Sequence, residues 1–178
     1  MIATRRLAQS ELPIAVDLIR AGAVVAFPTD TVYGLGCFNL DRLYEAKERP
    51  REKRIAYLVA AVPADLPDAA RRLAAAFWPG ALTIVAGDDA YRMPDHPLAV
   101  ALLQATGPLP VTSANRSGAG ASGDPDEVWS QLAGRIDALL DAGPCPGGRE
   151  STVVDLEGNI LRQGAISAED VARVLADG

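Results

Sequence analysis

The sequence predicts an α/β fold: a single layered domain with a twisted mixed β-sheet flanked by helices. Three observations carry this. Short runs rich in valine, isoleucine and leucine alternate with segments of helical periodicity along the whole chain. At 178 residues, 49% hydrophobic and 22% charged, the chain suffices for one sizeable core, and two full domains would be crowded. Near the C-terminus the apolar runs 152–156 and 160–162 are separated only by Glu157-Gly158-Asn159, so they pair antiparallel and make the sheet mixed. With no internal repeat and no linker-like stretch, residues 1–178 read as one domain.

The first predicted helix covers 10–21, with Ile14, Leu18 and Ile19 on one face and Gly22 ending it. A buried strand follows at 23–27, then a polar, glycine-bearing loop at 28–36. A helix begins at Asp41 and runs to Glu48, and 55–60 is again strand-like. Residues 67–77 form a helix with proline in its first turn, and 81–86 a strand after Trp78-Pro79-Gly80. A helix at 98–105 and a short strand at 109–111 lead into Thr112-Ser113-Ala114-Asn115. Asp124-Pro125-Asp126-Glu127 joins a capping aspartate to a proline at the first helical position. Beyond it 138–140 is a strand, and Ser167 with Asp170 opens the last helix as in a capping box.

Composition excludes several classes. No apolar run approaches the roughly 18 residues of a membrane span. Residues 1–13 carry Arg5 and Arg6 without an apolar stretch behind them, unlike an export signal. Cys37 and Cys145 stand far apart without a CxxC partner, which fits reduced thiols in the cytosol. His96 is the single histidine, so a zinc site is not expected. A net charge of −6 opposes a surface built throughout to grip nucleic acid, though a local basic groove is compatible with it.

Six of the 17 basic residues fall between Arg42 and Arg54, the first place to look for an anionic ligand. The chain has only two lysines, Lys47 and Lys53, against fifteen arginines. A compact ammonium can move between phosphate oxygens in a way a planar guanidinium cannot. Arg49 between them adds a fork suited to bidentate phosphate or carboxylate contacts. A solvated helix end would also account for the cluster. Residues 28–36, with two threonines, an aspartate and a tyrosine, follow a buried strand, where ligands of open α/β sheets usually sit. Thr112 to Gly118 also follows a strand and is dense in short hydrogen-bonding side chains, as ligand loops and ordinary polar turns both are. Ser151-Thr152 and Arg162 share that ambiguity.

Residues 118–123 fit GxGxxG literally. Polar residues separate them from the preceding strand, however, and Asp124 puts a carboxylate where a pyrophosphate would bind. Neither a Walker-type loop nor a GxSxG elbow is present, and His96 reads as a loop histidine.

Taken together, PTDTVYGLG (28–36), AKERP (46–50), WPGALTIV (78–85), RMPDHP (92–97), TSANRSG (112–118), STVVD (151–155) and LRQGAIS (161–167) resemble the YrdC-like (TsaC) family of threonylcarbamoyl-AMP synthases. The motifs span most of the chain in the family's order. The resemblance implies a YrdC-like fold and a nucleotidyltransferase that makes threonylcarbamoyl-adenylate and pyrophosphate from L-threonine, bicarbonate or CO2, and ATP. It implies Lys47, Arg49, Lys53, Asn115 and Arg162 on the nucleotide, with Lys47 and Arg49 catalytic. It places Thr31, Tyr33, Arg92, Ser113 and Ser151 around threonine. Mg²⁺ would travel with ATP, no metal would be held by protein ligands alone, and separate proteins would carry the product to tRNA. No membrane partner is implied, and the oligomeric state is left open.

The chain departs from the family pattern between Val85 and Arg92, where relatives carry a longer loop and a full strand. That shortening implies an Arg92 short of the carboxylate and one wall of the nucleotide site lost or replaced. Arg54 stands where a proline or glycine usually follows Lys53, and glycine and alanine replace a Ser/Pro/Thr-rich stretch after 118. Two rival readings stand beside the synthase: a non-catalytic RNA-binding module, and a related enzyme handling another carbamoyl- or acyl-adenylate.

Overall fold

The computed structural model describes residues 3–176. The chain runs β1 (Arg5–Ala8), α1 (Leu12–Arg20), β2 (Val25–Phe27), β3 (Gly34–Gly36), α2 (Leu40–Lys47), β4 (Ala56–Leu58), α3 (Asp68–Phe77) and β5 (Leu82–Ala86). It continues through β6 (Asp89–Arg92), α4 (Pro97–Thr106), β7 (Leu109–Ser113), α5 (Pro125–Leu132), β8 (Ala138–Asp141), β9 (Thr152–Val154), β10 (Ile160–Arg162) and α6 (Ala168–Ala176).

Among the described residues, ten strands share one sheet, in the order β1-β8-β2-β3-β7-β4-β6-β5-β9-β10. It is mixed, as expected: β1, β8 and β2 run parallel, β2, β3, β7 and β4 alternate, and β9 pairs antiparallel with β10. Helices α1 and α4 cover a core built on Val25, Phe27, Leu109 and Leu140. A second core joins Leu35, Leu43, Val128 and Leu139 under α2 and α5, and a third packs Leu82, Ile84 and Val154 against α3 and α6. Both cysteines are buried free thiols.

Local chemistry sets the helix ends. The Asn39 side chain accepts from the Arg42 amide, and that of Asp124 from the Asp126 amide at 2.8 Å, which puts a carboxylate on the end of α5 as read from sequence. Ser167 Oγ accepts from the Asp170 amide at 3.1 Å and donates to the Asp170 carboxylate at 2.6 Å. Glu48 closes α2 in the left-handed conformation, φ 53°.

Two expectations need correction, and one strand has no counterpart in the sequence reading. The end of the 28–36 loop is strand β3, paired with both β2 and β7. Its two glycines admit the packing: a Cβ on Gly36 would stand 2.6 Å from Leu109. Arg5–Ala8 is an edge strand parallel to β8, concealed in the sequence because only Leu7 of its four residues is buried. The shortened segment before Arg92 still contains a full strand. Ala86 pairs with Asp89 across a turn at Gly87-Asp88, where Gly87 takes φ +66°, so β5 and β6 form a tight hairpin that delivers Arg92 on schedule.

Candidate active site

A cavity of about 280 Å³ opens over the middle of the sheet. Alternate residues of neighbouring strands floor it: Ala56 and Leu58 of β4, Ala90 and Arg92 of β6, Thr83 and Val85 of β5, and Val153 of β9. The residues between them in β5 and β9, such as Ile84 and Val154, face the core under α3 and α6. The loop after β2 and the residues just before β9 close the sides with Thr29, Thr31, Glu150 and Ser151, while Arg49, Arg54 and Arg162 bring positive charge. An apolar floor with convergent polar groups and a cationic rim suits a small polar molecule joined to an anion.

Arg92 is the best-held group. Its Nε donates to Gly80 O at 2.9 Å, Nη1 to Thr31 Oγ1 at 2.8 Å, and Nη2 to Asp30 Oδ1 at 2.5 Å. The Thr31 hydroxyl in turn meets Thr29 Oγ1 at 3.0 Å, and Thr29 donates to Val32 O at 2.6 Å. Burial lowers the Arg92 pKa, and the Asp30 carboxylate works against that shift. The expected failure of Arg92 to reach the site is therefore corrected: the hairpin places it in the cavity floor, buried and oriented.

Across the floor, Arg162 donates through Nη1 to Glu150 at 2.6 Å, through Nε to Ser151 O at 3.1 Å, and through Nη2 to Ser151 Oγ at 3.1 Å. Ser151 Oγ also lies 2.8 Å from Thr83 Oγ1. A Cβ on Gly164 would come within 2.2 Å of the Thr152 amide, so glycine lets the stretch after β10 pack against the start of β9.

Of the residues singled out in sequence, Thr31, Tyr33, Arg49, Arg92, Ser113, Ser151 and Arg162 line this one cavity; Lys47, Lys53 and Asn115 do not. Lys47 is buried behind it. Its ammonium donates to Ser113 O, to Asn115 O at 2.7 Å and to Asn115 Oδ1 at 3.1 Å, which fastens α2 to the loop after β7. Burial lowers its pKa to about 7, with Arg49 and Lys53 adding to the effect and Glu150 opposing it. The Asn115 amide is spent on Arg116 O and Ala119 O. Lys53 is exposed, and its carbonyl accepts from Tyr44 and Arg49. Tyr33 contributes its ring to the wall while its hydroxyl turns away to Gly143 O at 2.8 Å; desolvation raises the phenol pKa.

Thr83 and Glu150 line the cavity without being singled out in the sequence, whereas Thr29, Asp30 and Arg54 belong to the 28–36 loop and the basic cluster already marked, and the pairing of Asp30 with Arg92 comes from the structure alone. Thr83 carried a legible signal, being the one polar residue in the strand Leu82–Ala86. Glu150 carried none, since nothing local distinguishes it from a surface glutamate.

The family model described as telomere recombination, that of the Sua5, YciO and YrdC proteins, matches residues 17–164. The threonylcarbamoyl-AMP synthase of Bacillus subtilis is 40% identical over 191 residues, covering 90% of this chain and 55% of the relative. That of Stenotrophomonas maltophilia is 37% identical, covering 85% of this chain and 97% of the relative. The structure of Pyrococcus abyssi Sua5 complexed with L-threonine superposes with a TM-score of 0.86 at 32% identity, over 97% of this chain and 60% of that one. The chain thus spans little more than half of the longer relatives and nearly all of the shorter. With the family match covering most of its length, this chain belongs to the Sua5/YciO/YrdC family.

Proposed function

We propose that this chain is a threonylcarbamoyl-AMP synthase, folded as one domain, that works on L-threonine, bicarbonate or CO2, and ATP. The observation that carries the reading is the convergence of Arg49, Arg92, Arg162, Thr31, Ser113 and Ser151 on one cavity, in a chain 40% identical to a relative of that name. The structural relative at TM-score 0.86 was solved with L-threonine, which agrees with an amino-acid seat in this fold.

The chemistry needs little covalent help from the protein. The threonine amine adds to the carbon of CO2 and sheds a proton, giving a carbamate. A carbamate oxygen then attacks the α-phosphorus of ATP, the bond to the bridging oxygen breaks, and pyrophosphate leaves with the electron pair. Negative charge grows on the departing group, so fixed cations beside it are the main requirement. Arg49 and Arg162 at the rim supply them, and exposed Lys53 can reach the outer phosphates. Arg92 holds the threonine carboxylate, with Thr31 fixing the guanidinium from behind, Ser113 and Ser151 as further polar contacts and the Tyr33 ring as wall. Lys47 and Asn115 set the shape of the loop carrying Ser113. The gain comes from positioning two reactants in line and excluding water.

The lining residues do not fit a protein-held Mg²⁺. Glu150 is the one carboxylate lining the cavity, it is engaged by Arg162, and no group of three potential ligands is found among the described residues. A divalent ion would come bound to the triphosphate. The product's acceptor is tRNA in the cytosol, reached through separate modifying proteins. Measurement of pyrophosphate release tests the proposal: release that requires ATP, threonine and bicarbonate together is expected, and release indifferent to threonine overturns it.

A further inference from the structure

Two hydroxyl pairs face the cavity, and they end differently. In the first, Arg92 donates to Thr31, and Thr29 donates to Val32 O. One hydroxyl hydrogen bridges the two threonines and the other reaches the carbonyl, so the chain of donors closes on the protein. In the second, Arg162 donates to Ser151 Oγ, and Ser151 and Thr83 share one hydrogen across 2.8 Å. These two hydroxyls also carry two hydrogens between them. Whichever way the shared one points, the other has no acceptor among the described residues. Ser151 and Thr83 are only 3% and 6% exposed, and both line the cavity. A buried donor left open in this way awaits an acceptor from outside the chain.

The neighbourhood identifies that acceptor. Strands β5 and β6 pair antiparallel with Ile84 opposite Tyr91 and Val85 opposite Ala90. One step further along the same register, Thr83 stands opposite Arg92, on the face that lines the cavity. Arg92 uses three of its N–H groups on Gly80, Thr31 and Asp30, and a guanidinium has about five. The open hydroxyl hydrogen and Arg92 therefore belong to neighbouring positions on the same cavity-lining face. A donated hydrogen bond from Arg162 also polarises the Ser151 hydroxyl and strengthens the donor at the end of the chain.

We infer that Thr83, acting with Ser151, is a threonine-binding residue that donates its pair's spare hydrogen to a carboxylate or carbamate oxygen of the amino acid beside Arg92. The inference rests on the synthase reading above and adds a residue to it. A hydroxyl at position 83 then bears on amino-acid binding more than on nucleotide binding, because its cross-strand neighbour is Arg92 and Arg162 reaches it only through Ser151.

The test is a comparison of Thr83→Val and Thr83→Ser with the wild-type chain, following pyrophosphate release while threonine and ATP are varied separately. Valine keeps the shape and removes the hydroxyl. The expected result is a KM for threonine raised at least about tenfold in Thr83→Val, as befits a lost bond to a charged group, with KM for ATP within about twofold of wild type. Thr83→Ser should recover most of the loss. A threonine KM unchanged in Thr83→Val, or a rise confined to ATP, overturns the inference. Equal impairment of both variants with lowered melting temperatures does so too, since it marks a packing role. Should Thr83→Val fail to fold, Thr83→Ala read by calorimetric titration with threonine replaces it, and undiminished affinity overturns the inference. Threonine-independent release by the wild-type chain would fell the synthase reading itself, a failure distinct from any result with the variants.

Discussion

Arg92 and Arg162 reach the same cavity and each meets a carboxylate, yet they are held in opposite ways. The Arg92–Asp30 pair is buried, with side chains 8% and 13% exposed, and its arginine is further fixed by a backbone carbonyl and a threonine. The Arg162–Glu150 pair sits at the rim, 42% and 36% exposed. A buried pair cannot be opened without stranding a charge in low dielectric, whereas a rim pair exchanges its partner for water or another anion at small cost. Identical chemistry thus yields a rigid seat in the cavity floor and a replaceable contact at its rim.

The sharpest break of this comparison is Arg92→Met. It leaves Asp30 buried without its partner and should destabilise the fold by about 3–5 kcal/mol. Urea denaturation checks this, and adding Asp30→Asn should recover part of the loss by removing the stranded charge. Arg92→Lys should not rescue, because one ammonium on a flexible stem cannot serve the three acceptors that the planar fork now reaches. A loss below about 1 kcal/mol in Arg92→Met would put the buried pair in the same class as the rim pair.

Lys47 extends the contrast to the back of the cavity. Its ammonium is buried against Ser113 and Asn115, so Lys47→Met should strand acceptors and cost about 1–3 kcal/mol. The pH dependence has a definite sign. With a folded pKa of about 7, below the unfolded value near 10.5, the unfolded chain binds more protons between those limits. Stability should therefore rise with pH from about 7 to about 10.5, and this contribution should be flat below about 7. Denaturation midpoints of wild type and Lys47→Met across that range decide it: the variant should lose the slope. An equal slope in both proteins would mean that the acceptor oxygens hold the ammonium near its ordinary value.

These differences mark what the sequence could reveal. Strand and helix order followed from apolar periodicity and from caps such as Asp124 and Ser167, because those signals are local. Arg5–Ala8 escaped because an edge strand with one buried residue has no alternating pattern. The second arm of the β5–β6 hairpin is not legible, because length alone does not show that the chain can turn at Gly87-Asp88 in two residues. At the site, Ser151 and Arg162 were legible as polar residues beside strands, whereas Arg92 stood out only through the family resemblance. Lys47 and Asn115 were legible as unusual residues but not in their placement, since whether an ammonium faces a ligand or a backbone carbonyl depends on contacts some 66–68 positions away. Asp30 and Glu150, the carboxylates that separate the two arginines' behaviour, gave no local sign of which cation each would meet.

Glu150→Gln yields the smallest effect and the most discriminating one. At the rim, losing the ion pair should change stability by no more than about 0.5 kcal/mol, within the range of exposed pairs. If the Glu150 carboxylate occupies the fork that a phosphate takes during turnover, ATP must displace it, and the neutral amide should make that exchange easier. The expected result is a KM for ATP lowered by about two- to fivefold, the span that an exposed pair worth at most about 1 kcal/mol allows, with the KM for threonine unchanged. Initial rates at varied ATP, together with a urea curve, measure both quantities on one preparation. A raised KM for ATP would instead make Glu150 a contact that the nucleotide needs. The two arginines would then differ in burial but not in kind, because each would depend on its carboxylate to present the guanidinium correctly.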